Sequence, residues 1–160
     1  MTKLMTMQRL GLMGALILVV AAATIFVVRH GSGAPARNTF SKTEWKFHGY
    51  QDPKSTVLSV SAVALEGDGQ AVIKSITPEL RKRLEFDLGP TMREQGRTLA
   101  QLLASYAPRI FGQNTGIRFV EQKFLGDDRA LIKVHFDGGL GDHSLVLKKM
   151  NQEWKLDDFQ

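Results

Sequence analysis

Four histidines, two tryptophans and sixteen acids are the side chains from which this 160-residue sequence could assemble chemistry, and there is no cysteine among them. The missing thiol removes disulfides, lipid attachment through an N-terminal cysteine and the His/Cys zinc spacings. His48, His135 and His143 lie in the polar two-thirds of the chain, and His30 borders an apolar run. A general base needs an imidazole held by a carboxylate, and Asp142-His143 is the one place where the two types adjoin. That pair opens a strand beside a glycine-rich stretch, where an aspartate is favoured by turn chemistry alone. His135 alternates with Lys133 opposite Ile132 and Val134, which places it on an exposed strand face. Asp137 and Asp142 bracket Gly138-Gly139-Leu140-Gly141 but lack the acidic spacing of a calcium loop. The glycines join two strands with no helix start to follow, so they do not make a phosphate loop. No serine sits in a Gly-x-Ser-x-Gly context. Arg81-Lys82-Arg83 has neither a glycine loop nor interleaved aromatics, which is the pattern of a solvated helix face. Trp45, Trp154 and Phe159 could form a ligand platform, although strand aromatics usually pack. The residues therefore assign no catalytic, cofactor-binding or metal position.

The elements that must carry these side chains fall into two runs. Asp52-Pro53 pairs an N-cap acid with a proline at the first helical position, and Val57, Leu58, Val60, Ala62, Val63 and Leu65 follow before Gly67-Asp68-Gly69. This predicts a largely buried helix ending near residue 66. A short helix over about 70–75 comes next, then a third that opens at Thr77-Pro78-Glu79, with Leu80 and Leu84 turned inward. Pro90 opens a fourth, expected to last to Ala107 and to end at Pro108, with Met92, Gly96, Leu99, Leu103 and Tyr106 on one face. After residue 115 the period changes to two. Strands are expected over 117–125, 129–136, 143–150 and 153–159, and connections this short demand an antiparallel meander. Helices followed by strands define an α+β domain, with the helices gathered on one face of a curved sheet.

Charge and hydropathy divide the chain differently. Of its 21 Lys and Arg, Lys3, Arg9, Arg29 and Arg37 lie within the first 37 residues, which hold no acid, leaving 17 against 16 acids in the remainder. The formal charge of +5 thus belongs mainly to the N-terminal segment, and nucleic-acid binding loses its support. Leu10 to Val28 runs without a charge for about 28 Å of helix, close to the thickness of a bilayer core. The expected organisation is a short tail at 1–9, a transmembrane helix at 10–28, a Gly-, Ser-, Pro- and Ala-rich flexible linker at 29–42 and an α+β domain at 43–160. The apolar run exceeds a signal-peptide core, and neither Ala21-Ala22-Ala23 nor Ala34-Pro35-Ala36 is a suitable cleavage site, so an uncleaved signal anchor is expected. Basic residues flank the run on both sides, and the short tail favours an extracytoplasmic domain. Gly11 and Ala15 are spaced as a small-residue helix contact, consistent with a homodimer.

The order of a capped helix, Gly-Asp, a second helix, Thr77-Pro78-Glu79-Leu80-Arg81 and strands closing on Glu153-Trp154-Lys155-Leu156-Asp157-Asp158-Phe159 resembles the nuclear transport factor 2-like superfamily, a cone-shaped α+β fold. Trp45-Lys46-Phe47-His48-Gly49-Tyr50-Gln51-Asp52-Pro53 is similar to a stretch preceding the first helix in small, membrane-anchored bacterial proteins of unknown function within it. The hairpin around Leu147-Lys148-Lys149-Met150-Asn151-Gln152-Glu153-Trp154-Lys155-Leu156 is similar to the closing hairpin of such domains. The resemblance covers about 43–160 and implies that Lys42 to Tyr50 forms an N-terminal strand or arm. The fold's isomerases and dehydratases place an Asp, His or Tyr inside the cone, but fold alone does not confer their chemistry. The expected function is a noncatalytic, cofactor-free, single-pass envelope protein that binds a partner protein or a small apolar ligand. The alternatives are an isomerase- or dehydratase-like enzyme, with His48 or His143 as base, and a cytoplasmic membrane-tethered regulator.

Overall fold

The computed structural model describes residues 37–160. The transmembrane, tail and cleavage expectations, His30, and the linker as far as residue 36 lie outside them. Among the described residues no helix is long and apolar enough to cross a membrane.

The chain forms an α+β unit in which helices pack on a curved, five-stranded antiparallel sheet. Its elements are β1 (Thr39–Ser41), a single 3-10 turn (Lys42–Glu44), α1 (Pro53–Glu66), α2 (Gly69–Lys74), α3 (Pro78–Asp87), α4 (Gly89–Gln95), α5 (Leu99–Phe111), β2 (Gly116–Phe124), β3 (Arg129–Asp137), β4 (Gly141–Met150) and β5 (Glu153–Phe159). The strands neighbour one another in chain order, as short connections require.

The helix starts are set by their caps. The Asp52 carboxylate accepts from the Ser55 N–H at 3.0 Å, and Pro53 follows at the first helical position. Asp68 caps α2 through the Ala71 N–H at 2.9 Å, and Thr77 caps α3 through the Leu80 N–H at 3.2 Å. Each cap satisfies a donor that the helix itself cannot.

Two expectations require correction. The fourth helix does not run unbroken from Pro90: Gly96 adopts a left-handed conformation at φ 62° and ends α4, and Arg97 N–H reaches back to the Met92 carbonyl. Thr98 then starts α5, with the Gln101 amide and the Thr98 hydroxyl satisfying each other's backbone N–H groups. A C-terminal glycine followed by a capping box is a stop and a fresh start. Met92 belongs to α4 and Gly96 lies outside both helices, so neither continues the helical face of Leu99. The buried side of α5 is Leu99, Ala100, Leu102 and Ala107. Nor does Pro108 end this helix; it sits inside it, and its carbonyl accepts from the Gly112 N–H at 2.8 Å.

The second correction concerns the arm. Its strand is Thr39–Ser41, inside the stretch assigned to the linker, and Thr39, Phe40 and Ser41 register with Arg118, Ile117 and Gly116. Of the arm's aromatics, Trp45 is buried and Phe47 is 61% exposed.

One core holds the two layers together. Ile117, Phe119, Ala130, Ile132, Val134, Phe136, Leu147 and Trp154 line the covered face of the sheet, against Trp45 and against Val57, Leu58 and Ala62 of α1. Trp45, Phe111 and Phe136 meet edge to face with centroids 5.9–6.4 Å apart. A smaller cluster of Val63, Ala64, Val72 and Ala107 joins α1, α2 and α5. Gly69 makes that approach close: a Cβ there would stand 1.9 Å from the Ala100 carbonyl oxygen. The far edge of β5 is closed by Tyr50, Ser75 and Thr77, through Trp154 N–H to Tyr50, Leu156 N–H to Ser75 and Thr77 N–H to Leu156.

Candidate functional site

Strand alternation decides where the histidines go. Residues 142 and 143 are neighbours in β4 and therefore point to opposite faces of the sheet. Asp142 registers with His135 and His143 with Val134. On the open face the Asp142 carboxylate lies 2.7 Å from His135 Nδ1, and Asp137 stands 3.5 Å from its Nε2. His135 is partly exposed and Asp142 is 85% exposed, so this group faces solvent. On the covered face His143 Nε2 lies 3.1 Å from the Leu140 carbonyl oxygen, and its ring meets Phe136 at 6.1 Å. A carbonyl only accepts, so Nε2 carries the proton in this contact. The pairing of Asp142 with His143 that a base would need is thus not formed. His48 is exposed, and its backbone N–H donates to Ser59 Oγ at 2.9 Å. Among the described residues no group of three or more His, Asp or Glu is placed to hold a metal ion.

The glycine stretch serves the fold. The Gly138–Gly141 turn packs on the end of α5, where a Cβ at Gly138 would stand 2.5 Å from the Gln113 carbonyl. Asn114, almost fully buried, fixes this junction: its Nδ2 donates to the Ile110 and Phe111 carbonyls at 3.0 and 3.3 Å, and its Oδ1 accepts from the Leu140 N–H at 3.1 Å. Leu140 is gripped on both sides, by Asn114 at its N–H and His143 at its carbonyl. Arg81 and Arg83 pair with Glu85 and Asp158 at 2.8 and 2.6 Å, and Arg83 also lies over the Phe159 ring. Two of the three cations in that run are engaged with surface partners, which leaves no convergent positive site.

The aromatics divide into packing and display. Trp45 is a core residue whose Nε1 has no hydrogen-bond partner among the described residues. Trp154 is buried against Phe124, which is itself 56% exposed, with centroids 5.9 Å apart. Phe47 lies edge-on to Tyr50 at 5.3 Å, and Tyr50 is joined to Trp154 by the backbone bond described above. Burial, with the negative charge of Glu153 and Asp68 nearby, pushes the Tyr50 phenol above the usual tyrosine range against the opposing bond with Ser75. Two exposed rings therefore rest on two more buried ones at the end of the sheet where β5 begins. Sequence reasoning named Trp154 there and missed Phe124, which the β2–β3 register sets opposite Ala130 and beside Trp154.

An open cleft of about 480 Å³ lies where the described chain enters the sheet, between Arg37, Phe40, Glu44, Thr115 and Asp137. Arg37 and Glu44 there pair with each other at 2.7 Å. The Ser41 backbone N–H and hydroxyl both donate to the Glu44 carboxylate and, with Arg37, hold it below the usual range. Compared with protein-family models, curated proteins and solved structures, the chain matches none of them.

Proposed function

We propose that this chain is a single-pass, membrane-anchored protein of the cell envelope with a nuclear transport factor 2-like domain, which binds an apolar partner without catalysing a reaction. The anchor is the uncharged run from Leu10 to Val28, followed by a domain carrying nearly balanced charge. The observation that carries the binding reading is the aromatic end of the sheet. Phe47 and Phe124 stand in solvent on a Tyr50–Trp154 base, and exposed apolar groups held on a rigid base suit recognition. The histidines speak against the isomerase- or dehydratase-like alternative, because the carboxylates lie with His135 on the open face while His143 holds a backbone carbonyl.

The anchor is tested by alkaline carbonate extraction of membranes containing the full chain. Retention of an uncleaved 160-residue product is expected, and release, or a product shortened after the apolar run, overturns it. A phosphatase fused after Gln160 is active only outside the cytoplasm; an inactive fusion with an active cytoplasmic reporter replaces this orientation with that of a tethered cytoplasmic regulator. For the binding end, Phe47→Ser with Phe124→Ser should abolish binding of the apolar dye anilinonaphthalene sulfonate. Unchanged dye binding moves the surface elsewhere.

A further inference from the structure

The open face of the sheet carries a row of three cations. Ala130, Leu147 and Trp154 are buried on the covered face, so alternation turns their chain neighbours Arg129, Lys148 and Lys155 to the open one. The register then sets these side by side, Arg129 of β3 opposite Lys148 of β4, and Lys148 opposite Lys155 of β5. Like charges directly opposite one another disfavour strand pairing, and here two such pairs adjoin.

The chain's own acids do not neutralise this row. Asp157 is the extra residue of β5 where the register passes from Val146 with Asp158 to Leu147 with Leu156. Its carboxylate accepts from the Thr77 hydroxyl at 2.8 Å and stands 3.5 Å from Arg129 Nη2. That contact draws the guanidinium across β4, but it is longer than an ordinary N–H to oxygen bond and leaves most of the five donors unused. Glu153 lies 3.9 Å from the Lys155 ammonium, which donates to the Lys74 carbonyl at 2.9 Å. Lys148, at the centre, has no ion pair among the described residues. Residues 1–36 cannot provide one, because they contain no Asp or Glu. An anion that relieves the row has to come from outside these 160 residues.

We infer that Arg129, Lys148 and Lys155 form a binding site for a phosphate group, carried by a soluble ester or by a lipid headgroup. The planar fork of Arg129 suits two oxygens of a tetrahedral anion and the Lys148 ammonium a third, from strands about 5 Å apart. Lys155 adds charge from the side. A carboxylate would be satisfied by the guanidinium alone, whereas the higher charge and three acceptor oxygens of a phosphate match the whole row. Leu131 and Val146, opposite one another in the next row of the same face, give an apolar flank that a phospholipid's chains would use and a free ester would not. The site faces away from the helices and depends on neither the membrane anchor nor the aromatic binding end.

The full-length protein in neutral maltoside micelles is titrated with glycerol 3-phosphate and, separately, with dihexanoylphosphatidic acid, which adds two short chains to the same headgroup, and binding is followed by phosphorus NMR. Lys148→Glu and Arg129→Gln should each weaken binding at least about tenfold, the loss of one charge-assisted bond. Lys149→Glu, one residue along and on the opposite face, should leave it unchanged. Lys148→Glu has a second consequence of opposite sign. It turns two repulsive pairs into attractive ones, so in chloride it should raise Tm, while abolishing the extra rise that millimolar phosphate gives the unaltered protein at equal ionic strength. General stabilisation by phosphate salts is common to both proteins and cancels. Equal affinity for the two probes assigns the site to a soluble ester, and tighter binding of the lipid that Lys148→Glu removes assigns it to a headgroup. Binding of neither probe, binding that survives both Lys148→Glu and Arg129→Gln, an equal loss with Lys149→Glu, or a lower Tm for Lys148→Glu in chloride overturns the proposal.

Discussion

Asn114 offers the sharpest test of how the two layers are joined. Replacing it by alanine removes three hydrogen bonds, but the losses are unequal. The Phe111 carbonyl keeps the bond it accepts from the backbone N–H of residue 114, at 3.2 Å. The Ile110 carbonyl loses its side-chain donor and the Leu140 N–H its acceptor. Two groups stripped of a side-chain partner at about 1–2 kcal/mol each predict a loss of about 3 kcal/mol, or roughly 10 °C in Tm for a domain of this size. Asn114→Asp separates the contributions. It retains the acceptor for Leu140 but sets a buried carboxylate against two carbonyl oxygens, so at pH 7 it should cost at least as much as alanine. That cost should shrink as acid protonates the carboxyl and restores a donor. Urea unfolding followed by tryptophan fluorescence measures both variants. An Asn114→Ala loss below about 0.5 kcal/mol, the range of ordinary surface substitutions, would refute the junction's role, as would an aspartate variant that is indifferent to pH.

Gly69→Ala should destabilise by about 2 kcal/mol or more despite alanine's better helix propensity, because its Cβ would collide with the Ala100 carbonyl; a neutral or stabilising result in thermal melts would show that α2 is free to shift. In the β4–β5 turn, Asn151 and Gln152 both have positive φ, 51° and 69°, so Gln152→Gly should gain up to about 1 kcal/mol by removing left-handed strain; an unchanged or lower urea midpoint would count against the strain. The raised Tyr50 phenol gives a pH dependence of known sign: its contribution is complete below the unfolded tyrosine range near 10.0 and is lost as the pH rises through the higher folded value, since the unfolded chain releases the proton first. Tyr50→Phe should flatten that alkaline loss, measured by denaturation at pH 9 and above, and an identical alkaline profile would refute the linkage.

Local signals carried most of the elements. Asp52-Pro53 and Thr77-Pro78 mark helix starts because capping and proline geometry act within one turn, and Ala130 to Phe136 reveals its buried face by strict alternation. The Gly96 break was also legible, since glycine followed by Thr98-x-x-Gln101 is a stop and a capped start; the continuing apolar period concealed it. Pro108 misled because proline disfavours a helix interior without forbidding it. The acid-to-histidine pairing was not local at all. Adjacency suggested Asp142 with His143, but in a strand adjacent residues diverge, and only the β3–β4 register brings Asp142 to His135. By itself the sequence determined the α+β order, the balanced charge after residue 37 and the apolar run, because each depends on composition or on neighbours a few residues apart. Tertiary structure alone decided that β1 registers with β2 from Gly116 to Arg118, that Tyr50, Ser75 and Thr77 bond to the far edge of β5, and that Phe124 stands out over Trp154. Those outcomes depend on which strand lies beside which and where it ends, which is set by the packing of segments that are distant along the chain.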